Sequence, residues 1–327
     1  APKFAIFSCN ANIKLDDVTG KAGKVLSIAS NETCLEWITV SQAQAAATGT
    51  YTAAGGGTAR TVSSKLGDTI SVKDFGAVGD GSTNNNTAFN NAVASISGTR
   101  GAVYIPAGNY ILSAQVVVPN NTTVLFYGDG MDRTRLSINY SVSGSIYLFA
   151  SDPNSCSGDN ISVRDLAIVM TNAVDTTGYA AIRGVGADAE VLNVKVDGWF
   201  SNAVVLNDDG TYSGARSRVQ GCRFIDVRQY GVRAINGNHA QILDNLFMGV
   251  GSSGAINLQG CCLYAQIRGN ILTDSAALGG TGIQLEEVSG YAPSYVTIND
   301  NQLISTQFGI YYQGSAGTGN PLRHVTI

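Results

Sequence analysis

INDNQL at 298–303 is preceded by IRGNIL at 267–272, ILDNLF at 242–247, VQGCRF at 219–224, VLNVKV at 191–196 and VRDLAI at 163–168. Each opens on a β-branched aliphatic residue, crosses a mostly polar step and closes on another apolar residue. The openers Val163, Val191, Val219, Ile242, Ile267 and Ile298 recur every 23–31 residues, and HVTI places Ile327 in the column where YVTI places Ile298. A second column of small residues, Ala203, Gly231, Gly254, Gly282 and Gly309, opens a further strand 11–15 residues after each opener. Two strands at a near-fixed offset, in a repeat of varying length, describe a coil whose strands stack while its corners vary. That is a β-solenoid, in which each coil buries its inner face only against its neighbours. A helical repeat would space its apolar residues at 3.6, whereas these alternate at 2. A propeller blade would need about 40 residues. Asn193, Asp244, Asn245, Asn270, Asp300 and Asn301 fall at or beside one turn position and read as corner formers, since Asn and Asp bond nearby backbone and tolerate left-handed angles.

Composition agrees. The chain has 327 residues, 44% hydrophobic but only 13% charged, with 39 Gly, which is a strand-and-turn composition. A net charge of −4 argues against nucleic acid as partner and suits sugars, whose hydroxyls need hydrogen bonds more than countercharge. No apolar run is long enough for a membrane span, and the first residues lack the ordered parts of a secretory leader. The six cysteines, Cys9, Cys34, Cys156, Cys222, Cys261 and Cys262, show no CxxC spacing and read as free thiols. With two histidines, His239 and His324, a His-based metal site or a Ser-His-Asp triad has little to draw on, and neither a metal nor a cofactor is expected.

Ahead of the repeats stands VKDFGAVGDG at 72–81, then a segment in which Ala88, Phe89, Ala92, Val93 and Ile96 share one helical face, with Ser82 or Thr83 as N-cap. Such a helix covers the open first coil. AVYIPAGNYIL at 102–112 and TVLFYGDGMDRTRLSI at 123–138 follow as strand–turn–strand units. In this order the motifs resemble the pectate-lyase-like (pectate lyase superfamily) domain of many bacteriophage tailspikes, over roughly residues 70–327. The family often carries acidic residues where Asn84, Asn85 and Asn86 stand, which argues against a cation or acid there. Residues 14–40 resemble a β-rich module of phage tail proteins with Trp37 as its buried aromatic, and 41–61 read as a linker or neck.

The resemblance implies an all-β chain: a right-handed parallel β-helix with a short capping helix and a small β-rich N-terminal module. Its expected parts are a virion-side module at 1–40, a neck at 41–70 and the β-helix at 71–327, continuing beyond Ile327 because a bare solenoid end exposes core. It further implies a homotrimer in the phage tail, joined to tail or baseplate by the module, made without a signal peptide, and engaging host surface polysaccharide.

Glycosidic cleavage uses two carboxyl groups, one protonated and one ionised. Glu286 and Glu287 end the second strand of the longest coil, between inserts at 273–281 (with Asp274) and 288–294 (with Tyr291). Glu286, Glu287 and Asp274 are the candidate acids. Tyr291, Tyr295, Tyr311 and Tyr312 are candidates to stack on sugar rings, with Asp208, Asp209 and Arg233 as further contacts. Asp208 and Asp209 lie three coils from the Glu pair, about 14 Å at the strand spacing, so the two pairs make one site only with loop movement or a neighbouring subunit. Set against this, the Glu pair reads more simply as a solvated corner and the tyrosines as ordinary strand residues. Arg216, Arg218, Arg223, Arg228 and Arg233 gather near one coil and suit an acidic polysaccharide, or else surface and inter-subunit contacts. Two functions remain: a polysaccharide depolymerase, hydrolase ahead of lyase, or a non-enzymatic spike whose β-helix is a rigid binding arm.

Overall fold

The computed structural model describes residues 24–28, 35–39, 50–119, 121–139, 146–151, 160–171, 179–184, 188–206, 216–273, 280–304, 306–314 and 322–327. Its contacts divide the chain into units 1–69 and 70–327. In the first, Lys24–Ile28 pairs antiparallel with Leu35–Thr39, setting Leu26 opposite Trp37. Where the sequence suggests a neck, Thr50–Tyr51 pairs with Arg60–Thr61 and a short helix follows at Val62–Leu66. Arg60 and Lys65 both bond Asp68, and the Arg60 hydrogen bond holds its carboxyl below the usual carboxylate range.

The second unit is a parallel β-solenoid. Its first sheet stacks Arg100–Ile105, Thr123–Gly128, Asn160–Met170, Glu190–Asp197, Arg218–Gln220, Gln241–Leu243, Gln266–Arg268 and Thr297–Asn299. The expected opener column is in register throughout: Val163 beside Val191, then Val219, Ile242, Ile267 and Ile298. Another sheet of eight strands runs from Val116–Val118 through Asn202–Leu206, Tyr230–Ile235, Gly254–Gln259 and Thr281–Glu286 to Phe308–Gln313.

Between these two lies a sheet that the two-column reading missed. Each six-residue motif is hinged in its middle: Asp165, Asn193, Gly221, Asp244, Gly269 and Asp300 all have φ between 51° and 69°. From Arg218–Gln220 and Arg223–Ile225 onward the hinge splits one apparent strand into two. A single left-handed residue turns the chain without altering its apolar alternation, so the corner is hidden from periodicity. Asp and Asn alternate there with Gly for a steric reason. A Cβ on Gly269 would sit 2.3 Å from Asp244 Oδ1, and one on Gly221 2.8 Å from Asn193 Oδ1.

Beside that corner runs a buried asparagine ladder. Asn245 Oδ1 accepts from the Cys222 backbone N–H at 2.9 Å, and Asn270 Oδ1 accepts from that of Asn245 at 3.0 Å. Asn301 Oδ1 accepts in turn from Asn270 at 3.0 Å. The corner role read from sequence is thus the observed one. Inside, Phe126 stacks on Phe149 at 4.2 Å and Phe224 packs on Phe247 at 4.9 Å.

The helix Asn86–Ala94 contributes Ala88, Phe89, Ala92 and Val93 to this core, Phe89 meeting Tyr110 edge-on. Its N-cap is Asn85, not Ser82 or Thr83. Those two are held in a preceding strand, Asp80–Asn84, by Asp80, which accepts from both their backbone N–H groups and from the Thr83 hydroxyl. Asn86 ties the helix to the first coil by bonding the backbone of Ser113 and Ala114.

Among the described residues Cys222, Cys261 and Cys262 are free thiols. Burial pushes Cys222 and Cys262 up to about 12 from an ordinary 9.0. A thiol whose folded pKa is raised supports the fold fully below its unfolded pKa and loses that support as pH climbs through the folded value. Chemical denaturation should therefore show stability falling between pH 9 and about 12. A thiol reagent at pH 8 should reach Cys222 and Cys262 only in denaturant, and rapid native labelling of either would contradict their burial.

Candidate functional site

The outer face of the eight-stranded sheet that ends at Phe308–Gln313 gathers the polar chemistry. Tyr230, Arg233 and Ile235 are partly exposed on this face, with Val232 and Ala234 in the core. Register then stacks outward rows along the axis. One is Tyr230, Gly254, Thr281 and Phe308; the next is Val205, Arg233, Asn257, Gln284 and Tyr311; the last is Ile235, Gln259, Glu286 and Gln313.

Side chains on this face bond across coils. Arg233 Nη2 donates to Gln259 Oε1 at 2.7 Å and its guanidinium lies 5.3 Å from the Tyr230 ring centroid. Asn257 Nδ2 donates to Glu286 Oε2 at 3.2 Å, and Gln284 Nε2 to Gln313 Oε1 at 2.7 Å. The Tyr230 hydroxyl donates to Gln284 Oε1 at 3.3 Å, two coils away. Burial first, and then the nearby Glu286 charge, raise the Tyr230 pKa above its ordinary value, so its hydroxyl stays protonated at neutral pH.

Of the expected site residues, Arg233, Glu286 and Tyr311 share this face. Glu287 sits past the strand end, 7% exposed, its Oε2 accepting from the Tyr312 hydroxyl at 3.2 Å. A corner therefore separates the two carboxylates, and Glu286 alone of them faces outward with the sheet. Tyr291 is exposed on a small turn in which Val288 and Tyr291 bond each other's backbone.

Tyr295 is placed differently. It stacks between Tyr264 at 5.0 Å and His324 at 4.7 Å, and Tyr264 stacks on His239 at 5.2 Å. All four are left-handed corner residues on the edge leading into the first sheet. Both faces of the Tyr295 ring are thus occupied by other rings, leaving its edge and hydroxyl to a ligand. Asp274, Asp208 and Asp209 lie outside the described residues.

The arginines do not form one patch. Arg218 bonds Gln241 on the first sheet, Arg223 lies on the middle sheet, and Arg233 faces outward with Tyr230. Neighbours in sequence wrap around a coil, so closeness along the chain is not closeness on a face. Among the described residues no group of His, Cys, Asp and Glu is arranged to hold a metal, and no helix is long and apolar enough to cross a membrane. The amides Asn257, Gln259, Gln284 and Gln313, and Tyr230, were missed by sequence reasoning. Their signal was positional: the amides recur two to five residues past the small-residue column, and Tyr230 stands one residue before it.

Stacked parallel coils are the architecture of pectate-lyase-like proteins. Residues 69–317 match the family described as rhamnogalacturonase A/epimerase, pectate lyase-like, and the chain belongs to that family. It is also similar to the pre-neck appendage protein of Bacillus phage B103, 34% identical over 99 residues, 30% of this chain and 11% of that one. The tail spike protein of Shigella phage Sf6 is 25% identical over 155 residues, 46% of this chain and 23% of that one. The chain therefore spans less than a quarter of either relative. Among solved structures, a tailspike protein double mutant of E. coli bacteriophage HK620 in complex with pentasaccharide shares the fold. Its TM-score is 0.55 at 12% identity, covering 79% of this chain and 54% of that one.

Proposed function

We propose that this chain is the β-helical part of a phage tail spike that binds polysaccharide on the host surface through the Tyr230–Gln313 face. The observation that carries this reading is the cross-coil network of amides, Arg233 and Glu286 on that face, in a chain whose similar proteins include phage tail components. Amides and tyrosines, with one positive and one negative side chain, suit a hydroxyl-rich ligand, since each amide offers a donor and an acceptor. The unit at 1–40 would face the virion, with a neck at 41–70 and the β-helix at 71–327, and the spike would act as a homotrimer.

Cleavage is the second reading, favoured by the outward Glu286 carboxylate with Glu287 at the adjoining corner. Asp274 would be a further acid, with Tyr291, Tyr311, Tyr312, Asp208 and Asp209 around the ligand and Tyr295 meeting it by its edge. Both readings are tested by incubating the purified spike with host polysaccharide. Binding is expected, and new reducing ends would indicate hydrolysis, which Glu286→Gln should remove while retention on the polysaccharide persists. No binding to polysaccharide from any permissive host would sink the proposal. Binding without new ends or unsaturated uronate would leave a non-enzymatic adhesin.

A further inference from the structure

Arg233 and Asn257 are direct register partners on neighbouring coils, about 4.8 Å apart at the strand spacing. Asn257 is fully buried although it faces outward, and its Oδ1 has no hydrogen-bond partner among the described residues. Arg233 Nε is likewise buried and unpartnered there, while its Nη2 is taken by Gln259. A buried acceptor and a buried donor without partners each carry a desolvation cost of roughly 1–3 kcal/mol. Two such orphans on adjacent coils, within a network otherwise joined, are what an unfilled binding position looks like.

The two orphans select their ligand. The Asn257 oxygen requires a donor and the Arg233 N–H an acceptor. A carboxylate serves only the second, and it would approach Glu286, whose Oε2 already holds the Asn257 amide nitrogen. One hydroxyl serves both at once. Resting on the polysaccharide-binding reading above, we infer that the Arg233–Asn257 pair is a subsite for a hydroxyl of a neutral sugar, not for a uronate or another acidic sugar.

Tyr230 is the side chain placed to cover this subsite. The Tyr230 hydroxyl reaches from its own coil to Gln284 two coils on, so its ring must cross the intervening coil near Gly254, the row-mate of Tyr230 three residues before Asn257. Nothing crowds that position: a Cβ at Gly254 would meet Thr281 and Gln284 only at ordinary contact distance, 3.5–3.7 Å. Tyr230 is only half-buried, its hydroxyl held by the 3.3 Å bond to Gln284 and by the Ser253 side chain. In the proposed subsite a sugar would reach the pair by displacing the Tyr230 side chain.

The test is a panel of purified bacterial O-antigen and capsular polysaccharides, half of them neutral and half uronate-containing, with affinities measured on the whole chain. The expected result is binding confined to neutral members. Asn257→Leu, which nearly keeps the shape and removes the acceptor together with the bond to Glu286, should weaken that binding tenfold or more in a chain that still unfolds cooperatively. Arg233→Met should do the same, and it keeps the inference testable if Asn257→Leu misfolds. Binding only to uronate-containing members, or full affinity in both variants, overturns the subsite while leaving polysaccharide binding intact. Binding to no member overturns both.

Discussion

Asn270→Leu should lower the unfolding free energy by about 3–5 kcal/mol, with an unchanged urea m-value. Asn270 has no exposed surface and sits mid-ladder. Its Oδ1 accepts from the Asn245 backbone N–H and side-chain Nδ2, both at 3.0 Å. Its Nδ2 donates to Ile242 O and Asn301 Oδ1 at 2.9 Å. Leucine fills nearly the same volume, so the loss isolates hydrogen bonding from packing. What remains is two buried backbone groups without these partners, each costing roughly 1–3 kcal/mol, and two amides deprived of a neighbour. Asn301→Leu should cost less, about 1–2 kcal/mol, because Asn301 is partly exposed and water can take over its partners. If Asn270→Leu unfolds within 1 kcal/mol of the parent, the ladder is incidental to the corner. The Asp and Asn residues of that corner would then be selected for backbone angle alone.

The ladder was readable from sequence because it repeats. Asn245, Asn270 and Asn301 occupy one offset from Ile242, Ile267 and Ile298, and repetition at fixed offset is what a stacked coil imposes. The first-sheet register and the apolar face of the capping helix were legible for the same reason. What escaped was whatever the period does not encode. The hinge through Asp165, Asn193 and Asp244 leaves the alternation undisturbed, so three sheets read as two columns. The stack of His239, Tyr264, Tyr295 and His324 puts bulky residues at positive φ, where propensity expects Gly or Asn. There, ring stacking from coil to coil offsets backbone strain, which no local rule anticipates. The candidate site was legible only in part. Glu286 and Arg233 stand out as charges in a sparsely charged chain, whereas the amides between them look like filler until register sets them in rows.

Register also corrects one alignment, with a measurable consequence. Gly231 and Gly254 stand at the same offset in the sequence repeat, so Gly→Ala should act alike at the two. In the structure they differ by one residue: Tyr230 pairs with Gly254, which leaves Gly231 beside Ala255, because the corner ahead of Gly254 is one residue longer. A one-residue slip in a strand exchanges its faces. A Cβ on Gly231 would lie 2.5 Å from two atoms of the Phe247 ring and 2.9 Å from Ala255 O. That ring is itself packed on Phe224 and cannot retreat freely. A Cβ on Gly254 would meet only ordinary contacts, at 3.5–3.7 Å. Gly231→Ala should therefore destabilise by about 3 kcal/mol, the upper part of the range for overpacked cores. Gly254→Ala should be neutral or stabilise by up to about 1 kcal/mol, through the smaller entropy of its unfolded chain. Thermal and urea unfolding of the two variants decide the matter. Equal effects would restore the sequence alignment and move Gln259 out of the row it shares with Glu286. Unequal effects in the stated order fix that row, and with it the face on which Arg233, Asn257 and Glu286 meet.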